Sequence, residues 1–167
     1  LEDYYENSEK IRKEELYELA FTYYQLSQFE EAIATFQPLS NIDDTIGQTS
    51  MYLLGDCYLK TQDKKGARNA FGLASEMNYN PKQKQDASFL YSKLSYEQGF
   101  DPIAVQGFRS YLEDYPNASN SPEAKSLLSA LLLKSNNYKE AYDLLKDEPS
   151  KDAAAWATFQ KAAVGRG

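Results

Sequence analysis

The stretch LYELAFTYYQLSQFEEAIATF, residues 16–36, decides the fold of this chain. A small residue, Ala20, is followed twelve positions later by Ala32 and sixteen positions later by Phe36. Between them, Ser27-Gln28 has the composition of a turn. Small residues at matched positions let two antiparallel helices approach closely, and large apolar residues fill the space beside them. The stretch therefore predicts a helical hairpin.

The same pattern recurs along the whole chain. Four small anchor residues are spaced 35, 37 and 37 positions apart: Ala20, Gly55, Ser92 and Ser129. Twelve positions after each anchor stands an alanine, and sixteen positions after it a large apolar residue: Ala32 and Phe36, Ala67 and Phe71, Ala104 and Phe108, Ala141 and Leu145. Turns are predicted at Ser27-Gln28, Gln62-Asp63, Gln98-Gly99 and Asn136-Asn137. Self-similarity at this period predicts one all-α repeat array over residues 1–167, with units at 9–41, 44–80, 81–118 and 119–149.

The two ends of the chain give separate predictions. Leu1-Glu2-Asp3-Tyr4 recurs at residues 112–115, where it closes a second helix, so residues 1–8 are predicted to be the tail of a preceding hairpin. At the other end Trp156, Phe159 and Ala163 have helical spacing. They predict an additional or capping helix over residues 150–164, because repeat arrays need polar caps.

These units resemble the tetratricopeptide repeat family. The first, Leu16-x-x-Leu19-Ala20-x-x-Tyr23 with Phe29, Ala32 and Phe36, and the second, Leu54-Gly55-x-x-Tyr58 with Ala67 and Phe71, match its pattern best. The third unit has Ser88 and Ser95, and the fourth has Lys125, where large apolar residues are usual. The resemblance implies a right-handed superhelix (a solenoid) of antiparallel helical hairpins, whose first helices line a concave groove.

Candidate groove residues follow from helical geometry, because a helix turns about 100° per residue. Positions −4, −1 and +3 from each anchor share the core sector, and positions −3, +1 and +4 share another sector, which the resemblance assigns to the groove. The predicted groove residues are Tyr17, Phe21, Tyr24, Tyr52, Asp56, Leu59, Phe89, Lys93 and Tyr96, followed by Ser126, Ala130 and Leu133. Aromatic side chains on an open surface favour binding, since each offers large apolar area. Packing of the same stripe within the array is the alternative reading.

The predicted partner is a protein or peptide. Chaperone-binding members of the family use Lys and Asn in the first hairpin to clamp a terminal carboxylate, and Tyr17 and Phe21 stand at those positions. The resemblance therefore implies no carboxylate clamp for Hsp70 or Hsp90. An extended or helical segment with apolar side chains fits the predicted groove better.

Composition argues against several other functions. The formal charge is −7 and the pI about 4.7, with cations scattered among carboxylates, which disfavours nucleic acid. No apolar run approaches the ~20 residues of a membrane span. The chain has no histidine, the commonest general base and metal ligand, and one cysteine, Cys57, interpreted as a buried inert residue. We therefore predict no enzyme activity, no metal and no cofactor.

Three functions remain open at this point. The first is a non-catalytic scaffold that binds a protein segment in the groove. The second is a structural or oligomerisation segment of a larger assembly, and the third is a regulatory module of a longer protein. The run from Phe108 to Ser119, leading into Pro122, resembles inter-repeat linkers of bacterial cell-envelope members of the family, including outer-membrane assembly lipoproteins and Tol–Pal coordinator proteins. That resemblance favours the bacterial periplasm or cell envelope over the cytoplasm.

Overall fold

The structure is a computed structural model that describes residues 2–147 and 153–166, of which 153–156 and 166 are described by their backbone alone. Within these residues the chain forms nine helices and no strand, which confirms the all-α prediction. They are α1 (Glu2–Gln25), α2 (Phe29–Phe36), α3 (Thr45–Lys60), α4 (Lys64–Ala74), α5 (Pro81–Glu97), α6 (Asp101–Asp114), α7 (Ser121–Lys134), α8 (Tyr138–Leu145) and α9 (Ala153–Arg166).

Two compact units divide the chain. The first, Leu1–Tyr91, holds α1 to α4 and the first part of α5, and the second, Ser92–Gly167, holds the remainder. In the first unit α1 packs against α2 and α3, and α3 packs against α4. In the second unit α6 packs against α7, and α9 packs against both α7 and α8.

The predicted turns are confirmed by their backbone geometry. Four residues in the described chain have a left-handed conformation: Ser27 (φ 59°), Gln62 (φ 63°), Gly99 (φ 82°) and Asn136 (φ 62°). Each lies seven positions after an anchor. A left-handed residue after the last turn of a helix closes that helix and reverses the chain. The repeat therefore specifies its turns by backbone geometry as well as by composition.

The core follows the predicted register in every hairpin. All four anchors are buried, and so are the alanines twelve positions later and the large residues sixteen positions later. At Gly55 an added Cβ would lie 2.9 Å from ring carbons of Phe71. The anchor is small because the second helix of the same hairpin places an aromatic ring directly against it.

Helix starts are marked by side-chain caps. The Asp44 carboxylate accepts a hydrogen bond from the Gly47 amide at 2.7 Å, and Asp63 accepts one from the Gly66 amide at 2.9 Å. At the start of α8, the side-chain oxygen of Asn137 accepts a hydrogen bond from the Glu140 amide in the same way. These caps satisfy amide groups that have no partner within the helix.

The first helix departs from the prediction. A single helix runs from Glu2 to Gln25, so the predicted boundary after residue 8 is absent. The described part of the tetrapeptide, Glu2 to Tyr4, is continuous with this helix and does not close one. Leu19, predicted as a core position, is 46% exposed, whereas its counterpart Leu54 is 5% exposed. The difference follows the neighbouring helices seen among the described residues, where α3 packs against α1, α2 and α4, whereas α1 packs against α2 and α3.

The predicted helix near the C-terminus is α9. The ring of Phe159 stacks on Tyr142 of α8, with centroids 5.5 Å apart and an interplanar angle of 23°. At Gly165 an added Cβ would lie 2.5 Å from the ring of Tyr138, so a residue without a side chain allows α9 to approach α8. The side chain of Trp156 lies outside the described residues, as do residues 150–152 of the predicted helix.

Candidate functional site

Three predicted groove residues form an aromatic ladder along α1. The rings of Tyr17 and Phe21 stack with centroids 6.1 Å apart, and those of Phe21 and Tyr24 with centroids 6.2 Å apart. Their spacing of four and three residues places them on one side of the helix. All three are partly exposed, and burial raises the pKa of Tyr17 above its usual value. The ladder therefore has one edge fixed in the protein and one edge open to solvent.

Further aromatic rings of the same hairpin hold this ladder in place. Phe36 of α2 lies 6.1 Å from Tyr17, centroid to centroid, and Phe29 meets Tyr24 edge to face at 6.0 Å. Aromatic pairs with this separation attract each other beyond the area they bury. The rings of α1 consequently have little conformational freedom.

Helix α3 adds Tyr52, Asp56 and Leu59, which are all partly exposed. The Tyr24 hydroxyl donates to an Asp56 carboxylate oxygen at 2.6 Å and so links the first two hairpins. This hydrogen bond to Asp56, assisted by burial, raises the pKa of Tyr24 well above its usual value. We call the surface formed by Tyr17, Phe21, Tyr24, Tyr52, Asp56 and Leu59 the aromatic face.

Phe89 was predicted for the same surface, and the structure places it elsewhere. Its side chain is only 4% exposed. The buried residues of α5 are Ala87, Phe89, Ser92, Leu94 and Ser95. At 100° per residue they occupy about 220° of the helix surface, more than one core sector. Because α5 is covered over this wide arc, Phe89 belongs to the packed interior and is removed from the candidate surface.

The second unit holds the remaining predicted residues. Lys93 forms an ion pair with Glu123 at 2.8 Å, so its charge is engaged within the protein. Tyr96 is partly exposed, Ser126 is exposed, and Ala130 and Leu133 line a cleft of about 830 Å³ between α7, Tyr138 and α9. Two of the three predicted positions of the last hairpin, Ala130 and Leu133, therefore face α9.

The sequence did not lead us to Asp86, which interacts with Tyr52 of the aromatic face. Burial raises the pKa of Tyr52, and so does the neighbouring Asp86, to which its hydroxyl is hydrogen-bonded. Lys82 pairs with the same carboxylate at 2.9 Å. The sequence contains a pattern that indicates this residue. Position −6 from the anchor is acidic in three of the four repeats, which carry Glu14, Asp86 and Glu123 there.

Groups suited to catalysis are sparse. Burial, with a smaller effect of Asp56, raises the pKa of the Cys57 thiol to about 12, which keeps it protonated and unreactive at neutral pH. Among residues 2–147 and 153–166, no three His, Cys, Asp or Glu residues are arranged to hold a metal ion. No helix in the same part of the chain is both long enough and apolar enough to cross a bilayer.

Comparisons with known proteins agree with this architecture. A family model described as tetratricopeptide repeat matches residues 49–73, which span most of α3 and α4. The chain is similar to the structure of nearly identical TPR-like repeats from a putative kinesin light chain of Podosopora anserina, at 14% identity and a TM-score of 0.59, covering 93% of this chain and 87% of that one. It is also similar to the crystal structure of MamA, at 19% identity and a TM-score of 0.59, covering 92% and 78%. No curated protein matches the sequence.

The fold is accordingly that of tetratricopeptide-like solenoids, built from repeated helical hairpins. Proteins with this fold generally serve as scaffolds for contacts between proteins. At these levels of identity the likeness defines the fold alone.

Proposed function

We propose that this protein is a non-catalytic scaffold and that the aromatic face binds a segment of a partner protein. The observation that carries the proposal is the ladder of Tyr17, Phe21 and Tyr24, which is held from behind by aromatic packing and left open in front. Large, rigid rings are the side chains that contribute most to protein interfaces, because they bury area without losing much conformational freedom.

The binding free energy that the aromatic face can supply follows from the area of its rings that is still exposed to solvent. Each ring of the aromatic face is partly exposed, with well under half of its surface open to solvent. Covering that remainder removes at most about 70 Å² from water, which is worth up to roughly 2 kcal/mol per ring at ~25 cal/mol per Å². Association itself costs several kcal/mol, so a few rings acting together can hold a segment only with modest affinity. We therefore expect a partner that covers at least three rings of the aromatic face.

The chemistry of this surface favours an apolar segment in extended or helical form. Its single carboxylate, Asp56, would repel a ligand's terminal carboxylate, which agrees with the expected lack of a chaperone clamp. The absence of histidine from the sequence and the protonated state of Cys57 support a role without catalysis.

The proposal is tested by capture from cells that produce the protein naturally. Native protein, Phe21→Ala and Leu73→Ala are immobilised in parallel; Leu73 is an exposed leucine of α4 in the same unit. A protein retained by the native chain and by Leu73→Ala, and lost with Phe21→Ala, is the expected result. Equal loss with both variants would point to general stickiness, and equal retention by both would refute binding at the aromatic face.

A second candidate function is structural, as a segment of a larger assembly that uses other surfaces. The observation in its favour is a row of exposed apolar residues along the side of α1 away from its core contact: Tyr4, Ile11 and Leu19, followed by Leu26 just beyond the helix. Ile11→Glu would abolish association in this case, while Phe21→Ala would leave it intact. The opposite pattern of losses would exclude this candidate.

A bacterial cell-envelope location remains part of the proposal. It is supported by the segment from Phe108 to Ser119, which resembles linkers of cell-envelope proteins. This segment runs from the interior of α6 into the connection before α7. Fractionation of the producing cells, followed by detection with an antibody, tests it directly. Recovery in the cytoplasmic fraction alone would contradict it.

A further inference from the structure

Asp56 differs from three other carboxylates that connect neighbouring helices. Asp44 pairs with Lys13, Glu123 with Lys93, and Asp101 with Lys134. Asp56 instead accepts its hydrogen bond from an uncharged group, the Tyr24 hydroxyl. None of the described lysines or arginines lies within ion-pair distance of it, so its negative charge is not balanced locally.

The surroundings of Asp56 increase the effect of this charge. The carboxylate is partly buried, where attraction to an opposite charge is stronger than in water. Tyr52 stands one helical turn before it on α3, and Tyr24 holds one of its two oxygens. The faces of both rings carry negative electrostatic potential, so ring and carboxylate attract the same kind of ligand.

The wider charge distribution has the same sign. Residues 1–91 contain 15 Asp and Glu against 9 Lys and Arg. Asp86, which is hydrogen-bonded to Tyr52, is already paired with Lys82. Asp56 is therefore the carboxylate beside these rings that can accept a new cation. A long basic side chain could contact both rings with its apolar stem and reach the free oxygen with its charged end.

We propose that Asp56, together with the rings of Tyr24 and Tyr52, receives an arginine or lysine side chain from the bound segment. This inference rests on the proposed function and adds the chemical class of the partner: an apolar segment that carries a basic residue. Arginine fits better than lysine, because its planar guanidinium stacks on aromatic rings while it donates to a carboxylate.

The probes are three end-blocked tripeptides, Leu-Xaa-Phe, in which Xaa is Arg, Gln or Glu. Weak binding to the native protein is measured by NMR from shifts of the tyrosine ring resonances. We expect the Arg peptide to bind about tenfold tighter than the Gln peptide and the Glu peptide to bind most weakly. The Arg preference should shrink between about 50 and about 500 mM salt, because screening weakens a partly exposed charge pair.

Variants assign the preference to its residue. Asp56→Asn keeps the shape and an acceptor for Tyr24 but removes the charge, so the Arg and Gln peptides should then bind equally. Glu18→Gln, an exposed carboxylate elsewhere on α1, is the matched control and should keep the tenfold preference. Phe21→Ala should weaken all three peptides and leave their ratio unchanged.

The outcomes separate this inference from the proposed function. Equal binding of all three peptides to the native protein, weakened by Phe21→Ala, would retain the aromatic face and overturn the role of Asp56. An Arg preference that survives Asp56→Asn would also overturn that role. Failure of all three peptides to bind would refute both proposals for extended apolar segments.

Discussion

Replacing Gly47 with alanine should destabilise the first unit, although alanine is the better helix former. An added Cβ at Gly47 would overlap the carbonyl oxygen of Ile42 and lie 2.7 Å from its carbonyl carbon. Both are backbone atoms, so no side-chain rotation relieves the clash. The chain before α3 must shift, and that shift removes the Asp44 cap and disturbs the Lys13–Asp44 ion pair.

The magnitude can be worked from these contacts. Alanine in place of glycine within a helix gains about 1 kcal/mol, and loss of an aspartate cap costs about the same. These two terms cancel and leave the cost of overpacking a buried position, about 1–3 kcal/mol. We therefore expect Gly47→Ala to lower the free energy of unfolding by about 1–3 kcal/mol.

Urea unfolding followed by far-ultraviolet circular dichroism measures this change, and the chain supplies its own control. Gly66 occupies the same position after the capping Asp63, but there an added Cβ would meet a carboxylate oxygen of Asp63 at 2.6 Å. The Asp63 side chain can rotate away, and the gain from alanine in a helix offsets loss of this cap, so Gly66→Ala should stay within about 1 kcal/mol of native. A Gly47→Ala protein as stable as native, or equal damage from both variants, would refute the reasoning.

Three further changes test other parts of the structure. Gln62→Gly should raise the free energy of unfolding by up to about 1 kcal/mol in the same urea assay, because a non-glycine residue at positive φ is strained; Asn136→Gly should change it less, since asparagine tolerates that conformation. Cys57 should resist thiol-specific labelling in the native protein and react after unfolding, and rapid labelling of folded protein would contradict its burial. Tyr24→Phe should cost about 1 kcal/mol and remove the latest step from an alkaline absorbance titration, because the hydrogen bond to Asp56 stabilises the fold below the usual tyrosine pKa and is lost as pH rises through the raised value. Loss of a step in the usual tyrosine range, with the latest step retained, would show that the bond does not persist in solution.

Much of the fold could be predicted because each repeat provides an independent check on the pattern seen in the others. The anchor and the alanine twelve positions later recur four times, and chance similarity does not keep register over that length. The backbone confirms the same register independently. Ser27, Gln62 and Asn136 each have a positive φ seven positions after their anchor, although none of them is glycine. Periodicity predicts helix faces well because side-chain direction is fixed by the helix itself.

The errors in predicted exposure have one physical source, because a helical pattern does not show which other helices pack alongside. Leu19 and Leu54 occupy the same position in their repeats, yet the first is exposed and the second buried, because exposure depends on which helices lie alongside. Phe89 was misplaced for the converse reason, since α5 is covered on more than one side. The hydrogen bond between Tyr24 and Asp56 joins different repeats and leaves no local trace in the sequence.

The central claim, that the aromatic face binds a protein segment, is tested most directly by photocrosslinking in the cells that make this protein. The photoreactive residue p-benzoylphenylalanine replaces Phe21 in one version of the chain and Leu73 in another. We predict that the version altered at Phe21 forms a discrete covalent adduct with another protein, and that the version altered at Leu73 forms none. Adducts from Leu73 alone, or the same adducts from both positions, would contradict the assignment of the binding surface to the aromatic face.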